Sequence, residues 1–206
     1  GTSALRPDGA AKVQGRFEFS SDLHAENMLW GATLRSPHPY ARIVSIDLSA
    51  AYKITGVEAI ITAEDVPGKK TYGLISSDQP VFAQDFVRYV GEPVAAVAAD
   101  HPETCRRALA AIKVEYEVLA PLTDADLATN PTTPSIHPDG NIIRRQKIIT
   151  GDQNLEGEII VEGTYEVGMQ DQAFLGLEAA LALPESGGKG IEMYVATQWL
   201  HEDQKQ

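Results

Sequence analysis

The stretch that most constrains the fold is VGEPVAAVAADHPETCRRALAAIKVEYEVL, residues 90–119. A Gly-Glu-Pro break opens it, and a run apolar on both faces follows, Val94 to Ala99. Such a run fits a buried strand. Asp100 stands where a helix N-cap is expected, with Pro102 in the first turn and the acid Glu103 beside it. Apolar residues then return at Cys105, Ala108, Leu109 and Ile112, the spacing of one helix face. Lys113, Glu115 and Glu117 alternate with Val114, Tyr116 and Val118, so a strand with one wet face closes the unit. The local reading is strand, helix, strand.

Upstream, MLWGATLRS (28–36) and ARIVSIDLS (41–49) read as short strands either side of SPHPY, whose two prolines fix a turn. Residues 1–22 are polar and Gly-rich, which suggests an extended lead-in. AAYKITG reads as a helical turn ended by Gly56, and VEAIIT as a strand. Residues 121–157 are rich in Pro, Asn, Asp and Gly, the composition of a linker with room for one strand. EIIVEGTYEVG (158–168) alternates like a strand, IEMYVAT repeats that signal, and QWLHEDQKQ resembles the first turn of a helix.

With 206 residues, 43% of them hydrophobic and 22% charged, the chain can bury an ordinary core. A formal net charge of −12 argues against nucleic acid, whose phosphates need a basic face. No apolar run approaches the roughly 20 residues of a membrane span. The opening residues GTSALRPDGAAKVQGRF do not read as a secretory signal. One cysteine, Cys105, cannot form an internal disulfide, which points to a reducing, cytoplasmic setting. Its position on a helix suggests a small half-buried side chain. His24, His38, His101, His137 and His201 share no ligand spacing, so no metal site is expected from them. No Gly-rich phosphate loop follows a strand.

One polar cluster is out of place. In GMQDQAFLGLEAALALP (168–184), Gln170, Asp171 and Gln172 lead directly into an apolar run. Read on their own, these residues fit a strand-to-helix corner that satisfies backbone groups. They fit a ligand contact as well.

Four segments together bear on that choice: RPDGAAKVQGRFEF (6–19), TLRSPHPYARIVSIDL (33–48), FVRYVGEPVAAVAAD (86–100) and KVEYEVLAPL (113–122). In this order they resemble the large, molybdenum-binding chain of the xanthine dehydrogenase and aldehyde oxidase family. The resemblance implies an α+β fold: an a/b hammerhead domain over 10–125, a linker over 126–157, and over 158–206 the truncated start of a molybdopterin-binding α/β domain. MQDQAFLGLEAALALP is similar to the family run Gln-Glu-His-Ala-Tyr-Leu-Glu-Pro-Glu-Ala-Ala-Leu, and VATQW to the Thr-Gln strand that follows it. By that likeness Gln170 donates its amide to an oxo ligand of the molybdenum, with Gly168, Met169 and Phe174 beside the cofactor. A carboxamide suits such a place because it donates without titrating.

The implied reaction is hydroxylation of a purine, N-heterocycle or aldehyde with oxygen from water. The cofactor is molybdopterin, plain or as its cytosine dinucleotide, and iron–sulfur clusters and FAD sit on partner domains or subunits. This sequence departs from the family run at Gln172, Phe174, Gly176 and Leu177. The family's catalytic base lies downstream of the segments matched here, so these residues alone are expected to bind no cofactor and to be inactive. The rest of the molybdenum-binding chain and a second copy of these residues are the expected partners. The alternative is a non-catalytic assembly or interaction module on the same fold. Arg88 is expected to pair on the surface, and Glu92 to be a cap or interface residue.

Overall fold

The structure, a computed structural model, describes residues 1–73, 76–153, 157–171, 178–188 and 190–205. It divides into two compact units, Asn27–Glu158 and a second built from Gly1–Glu26 with Ile159–Gln206. The lead-in is not wholly extended. Helix α1, Gly9–Val13, forms there, and Asp8 holds both Arg6 and Lys12 at its start, at 2.5 and 2.7 Å.

The Asn27–Glu158 unit carries β1 (Trp30–Arg35), β2 (Ala41–Asp47), β3 (Val57–Thr62), the short pair β4 (Thr71–Tyr72) and β5 (Gln79–Pro80), β6 (Phe86–Val87), β7 (Pro93–Ala99), α2 (Pro102–Ala111), β8 (Lys113–Val118) and α3 (Ala125–Ala128). Two three-stranded sheets result, ordered β1-β7-β3 and β6-β2-β8, with every pairing antiparallel. The strand–helix–strand unit is therefore no parallel crossover. β7 lies between β1 and β3, while β8 leaves α2 to join the other sheet. A central strand is covered on both faces, which is why the 94–99 run has no polar alternation.

Helix α2 lies across β1 and β7. Cys105, Ala108 and Ile112 meet Ala51, Ile60, Val97 and Ala99 in one buried cluster. A second cluster, Ala41, Ala83, Val87 and Val94, lies under the β6-β2-β8 sheet. Burying a side chain such as Val97 in these clusters contributes about 1.5–3 kcal/mol. On β2 the apolar residues are not evenly spaced, and a bulge resolves this. Ile43 pairs with Tyr116 and Ser45 with Glu115, so Val44 is the extra residue. Ile43 and Ile46 can then both pack on the second cluster, while Val44 stays exposed. On the wet side of this sheet Arg42 pairs with Glu117 across the strands at 2.5 Å.

Gly56 illustrates a backbone requirement. Its φ is +92°, and its carbonyl accepts the Asp100 N–H at 2.9 Å. The α2 cap falls one residue after the expected Asp100. His101 is extended and its Nδ1 accepts from Glu103 N–H at 3.1 Å. Asp100 gives its backbone N–H to the Gly56 turn, and the side chain of the next residue does the capping. Cys105 is fully buried rather than half-buried, and its thiol donates to the Trp30 carbonyl at 3.0 Å.

Past β8, no strand forms among the described residues of 121–157. The structured piece is α3, capped by Asp124, whose carboxylate accepts from Asp126 and Leu127 N–H at 2.8 and 3.0 Å. In the other unit β9 (Ala180–Pro184) and β10 (Ile191–Val195) form an antiparallel hairpin, followed by one helical turn, α4 (Leu200–Asp203).

Candidate functional site

Residues 158–168 have the alternation of a strand, yet among the described residues they join no ladder. The side chains of Ile159, Ile160, Val161, Tyr165, Val167 and Met169 are all at least 75% exposed. A strand needs a partner edge, and none of the described residues offers one here. Gly168, Met169 and Gln170 follow in the same irregular stretch. The Gln170 carboxamide is exposed and bonds to no described group. A Cβ at Gly168 would meet nothing within 4 Å. The next element among the described residues is strand β9, and the corner itself lies outside them. Phe174, Gln172, Gly176 and Leu177 lie outside the described residues.

A concave feature of the Asn27–Glu158 unit lies elsewhere, and nothing in the sequence singled it out. A cavity of about 870 Å³ is bounded by the β4–β5 hairpin, the corner 84–92 and the loop 137–143. Glu92 forms part of its wall at 1% exposure. One carboxylate oxygen accepts the backbone N–H of Arg88 in a short hydrogen bond. The Glu92 carbonyl accepts from Ser36 N–H at 2.9 Å, and Gly91 N–H donates back to the Ser36 carbonyl at 2.8 Å. Arg35 reaches across to the Gly91 carbonyl at 2.9 Å. Gly91, at φ +91°, makes the turn that aims Glu92 inward.

Burial pushes the Glu92 carboxyl above the usual carboxylate range, and hydrogen bonding and charge from Arg88 oppose that in part. Glu92 is thus an interior acceptor rather than a cap or an interface residue. Arg88 is half-buried, and among the described residues it pairs with no carboxylate. Its guanidinium lies 6.0 Å from the Phe86 ring, and its Nε donates to the Ile136 carbonyl at 3.3 Å. The signal for this in the sequence was one acid in the Gly-Glu-Pro break just before an apolar run. Among the described residues, no group of three or more His, Cys, Asp or Glu could hold a metal ion, and no helix is long and apolar enough to cross a membrane.

Fold and motif order together define the class. Residues 14–120 match the family model described as aldehyde oxidase and xanthine dehydrogenase, a/b hammerhead domain. The chain belongs to that family. It is 40% identical, over 99% of its length, to a probable xanthine dehydrogenase subunit of Bacillus subtilis (strain 168), and covers 28% of that protein. It is 35% identical over 98% of its length to the nicotinate dehydrogenase large molybdopterin subunit of Eubacterium barkeri, covering 48% of it. Among solved structures, reconstituted CO dehydrogenase from Oligotropha carboxidovorans superposes with a TM-score of 0.60 at 32% identity. That match covers 66% of this chain and 17% of the other. The chain therefore spans between about a quarter and a half of the curated relatives named here.

Proposed function

We propose that these residues are part of the large subunit of a molybdenum hydroxylase, which oxidises a purine, N-heterocycle or aldehyde. The observation that carries this reading is the reach of the likeness. It runs through 99% of the chain against the Bacillus protein, well past the hammerhead and across Gln170. The Eubacterium relative, by its name a molybdopterin subunit, supports the cofactor.

The chemistry that a bound molybdopterin, plain or as its cytosine dinucleotide, supplies is oxidative hydroxylation with oxygen from water. The residues present fit a neighbour of that group rather than a ligand of the metal. Gln170 offers a neutral amide N–H that is exposed and bonds to no described group. It donates the same hydrogen bond at any working pH, because a carboxamide does not titrate. Gly168 adds no side-chain bulk beside it, and Met169 is free to pack against the cofactor. Phe174 is assigned to the same neighbourhood from the motif.

The remaining catalytic groups belong to the rest of the subunit, and the iron–sulfur and FAD centres to partner domains or subunits. These 206 residues are inactive alone and dimerise through exposed apolar side chains of 158–198 such as Ile159, Ile160 and Val161. The working location is the cytoplasm.

The test is Gln170→Ala in the full-length subunit assembled with its partners. The expected result is intact molybdenum content with kcat lowered about 10–100-fold, the usual effect of losing a hydrogen-bonding neighbour of a metal. An unchanged kcat refutes the role of Gln170. A full-length product that retains neither molybdenum nor activity favours the alternative, a non-catalytic assembly module.

A further inference from the structure

The loop 134–143 borders the cavity and is tied mainly to itself and to its own approach. Ile136 N–H donates to Asn141 Oδ1 at 2.8 Å, and Asn141 Nδ2 donates to the carbonyls of Pro134 and Ala128 at 3.1 and 3.3 Å. Gly140 N–H closes a turn on the His137 carbonyl at 3.0 Å. Among the described residues one hydrogen bond joins this loop to the strand-bearing body, from Arg88 Nε to the Ile136 carbonyl. A segment with so few attachments opens at low free energy. The anchor is not independent of the cavity, because the backbone N–H of Arg88 is the donor to the buried Glu92.

We propose that residues 134–143 form a strap over this cavity, anchored by Arg88, and that proton occupancy at Glu92 sets how firmly the strap closes. The direction follows from solvation. A closed strap keeps water from Glu92, which costs little for a neutral carboxylic acid and much for a carboxylate. Proton uptake therefore favours the closed strap, and ionisation favours a hydrated, open cavity.

Several charged groups share the cavity with Glu92. Arg88, His137 and the backbone of Tyr89 favour the carboxylate, while Asp78, Asp85 and Asp139 also line the cavity. Tyr89 borders the cavity beside them, and Arg35 is engaged with the Gly91 carbonyl. Burial is the largest of these influences on Glu92 and raises its proton affinity, in line with the proposed direction.

Hydrogen exchange read by mass spectrometry on the assembled full-length subunit tests the idea, across about pH 5.5–8.5 with rates corrected for intrinsic exchange. In the native protein, protection of 134–143 falls about threefold or more as pH rises across Glu92's titration. Glu92→Gln, which mimics the protonated acid, gives a flat profile at the protected level. Arg88→Ala leaves the loop unprotected at every pH while β7 stays protected. Should Glu92→Gln fail to fold, Glu92→Asp replaces it. That side chain still titrates but falls short of the Arg88 N–H, so the loop exchanges fast throughout. Parallel pH profiles for native protein and Glu92→Gln overturn the proposal, as does full protection of the loop in Arg88→Ala.

Discussion

Gly56→Ala is the substitution whose cost can be worked most directly from the structure. Gly56 holds φ at +92°, and a methyl there would lie 2.6 Å from Asp100 Cγ, overlapping both carboxylate oxygens. Two separable costs follow. Holding an L-residue in the left-handed region costs about 1–2 kcal/mol. The Asp100 side chain is exposed and can swing aside, but doing so from a settled rotamer costs about 0.5–1.5 kcal/mol more. The sum is a loss of about 1.5–3.5 kcal/mol, measured by urea denaturation followed by circular dichroism. The double-mutant cycle with Asp100→Ala splits the sum, because removing the carboxylate abolishes the clash and leaves the backbone cost. A coupling of about 0.5–1.5 kcal/mol is expected between the two sites. A Gly56→Ala protein within about 0.5 kcal/mol of the native one refutes the backbone argument. Strict additivity refutes the clash.

Val97→Ala, in the fully buried middle of β7, should cost about 2–3 kcal/mol through lost burial and a residual cavity, read in the same denaturation assay. Burial raises the Cys105 thiol above its ordinary range, so a disulfide reagent should modify it slowly in the native state and rapidly in denaturant. Glu92 gives a pH dependence of stability. Its folded carboxyl binds a proton more tightly than the unfolded one, so its contribution is greatest below the ordinary carboxylate range and is lost as pH rises through the raised folded value. Asp8, Asp47, Asp65 and Glu103 are shifted the other way, so the signal is the difference between native protein and Glu92→Gln across that window. That difference should favour the glutamine variant at neutral pH, and an unchanging difference would remove burial as the cause.

Legibility in the sequence followed how local each signal was. VEAIIT is β3 to the residue, and the 102–112 pattern gave α2 because cap, proline and apolar spacing all lie within one segment. The bulge at Val44 was hidden, since it depends on what β8 places opposite. The cap lies one residue beyond Asp100, at His101, while the Asp100 N–H bonds to Gly56, more than forty residues away. Residues 158–168 have a strand's alternation without a strand's neighbours, and sequence records only the first. Gln170 was singled out by a polar triplet at an apolar boundary, whereas Glu92 and Arg88 acquire their meaning from a loop almost fifty residues downstream.

The division of the chain also bears on how it is made. Asn27–Glu158 is one uninterrupted stretch, so every contact it needs exists once it has left the ribosome. The other unit joins an earlier segment, Gly1–Glu26, to a much later one, with β9 of the hairpin meeting the turn at Ser20–Asp22. At roughly 5–20 residues per second, the N-terminal segment emerges on the order of ten seconds before its counterpart. During that interval the Ser20–Asp22 turn is without the strand that it meets in the folded unit. A chaperone that binds the unpartnered turn would have its opening in that interval, before β9 is made.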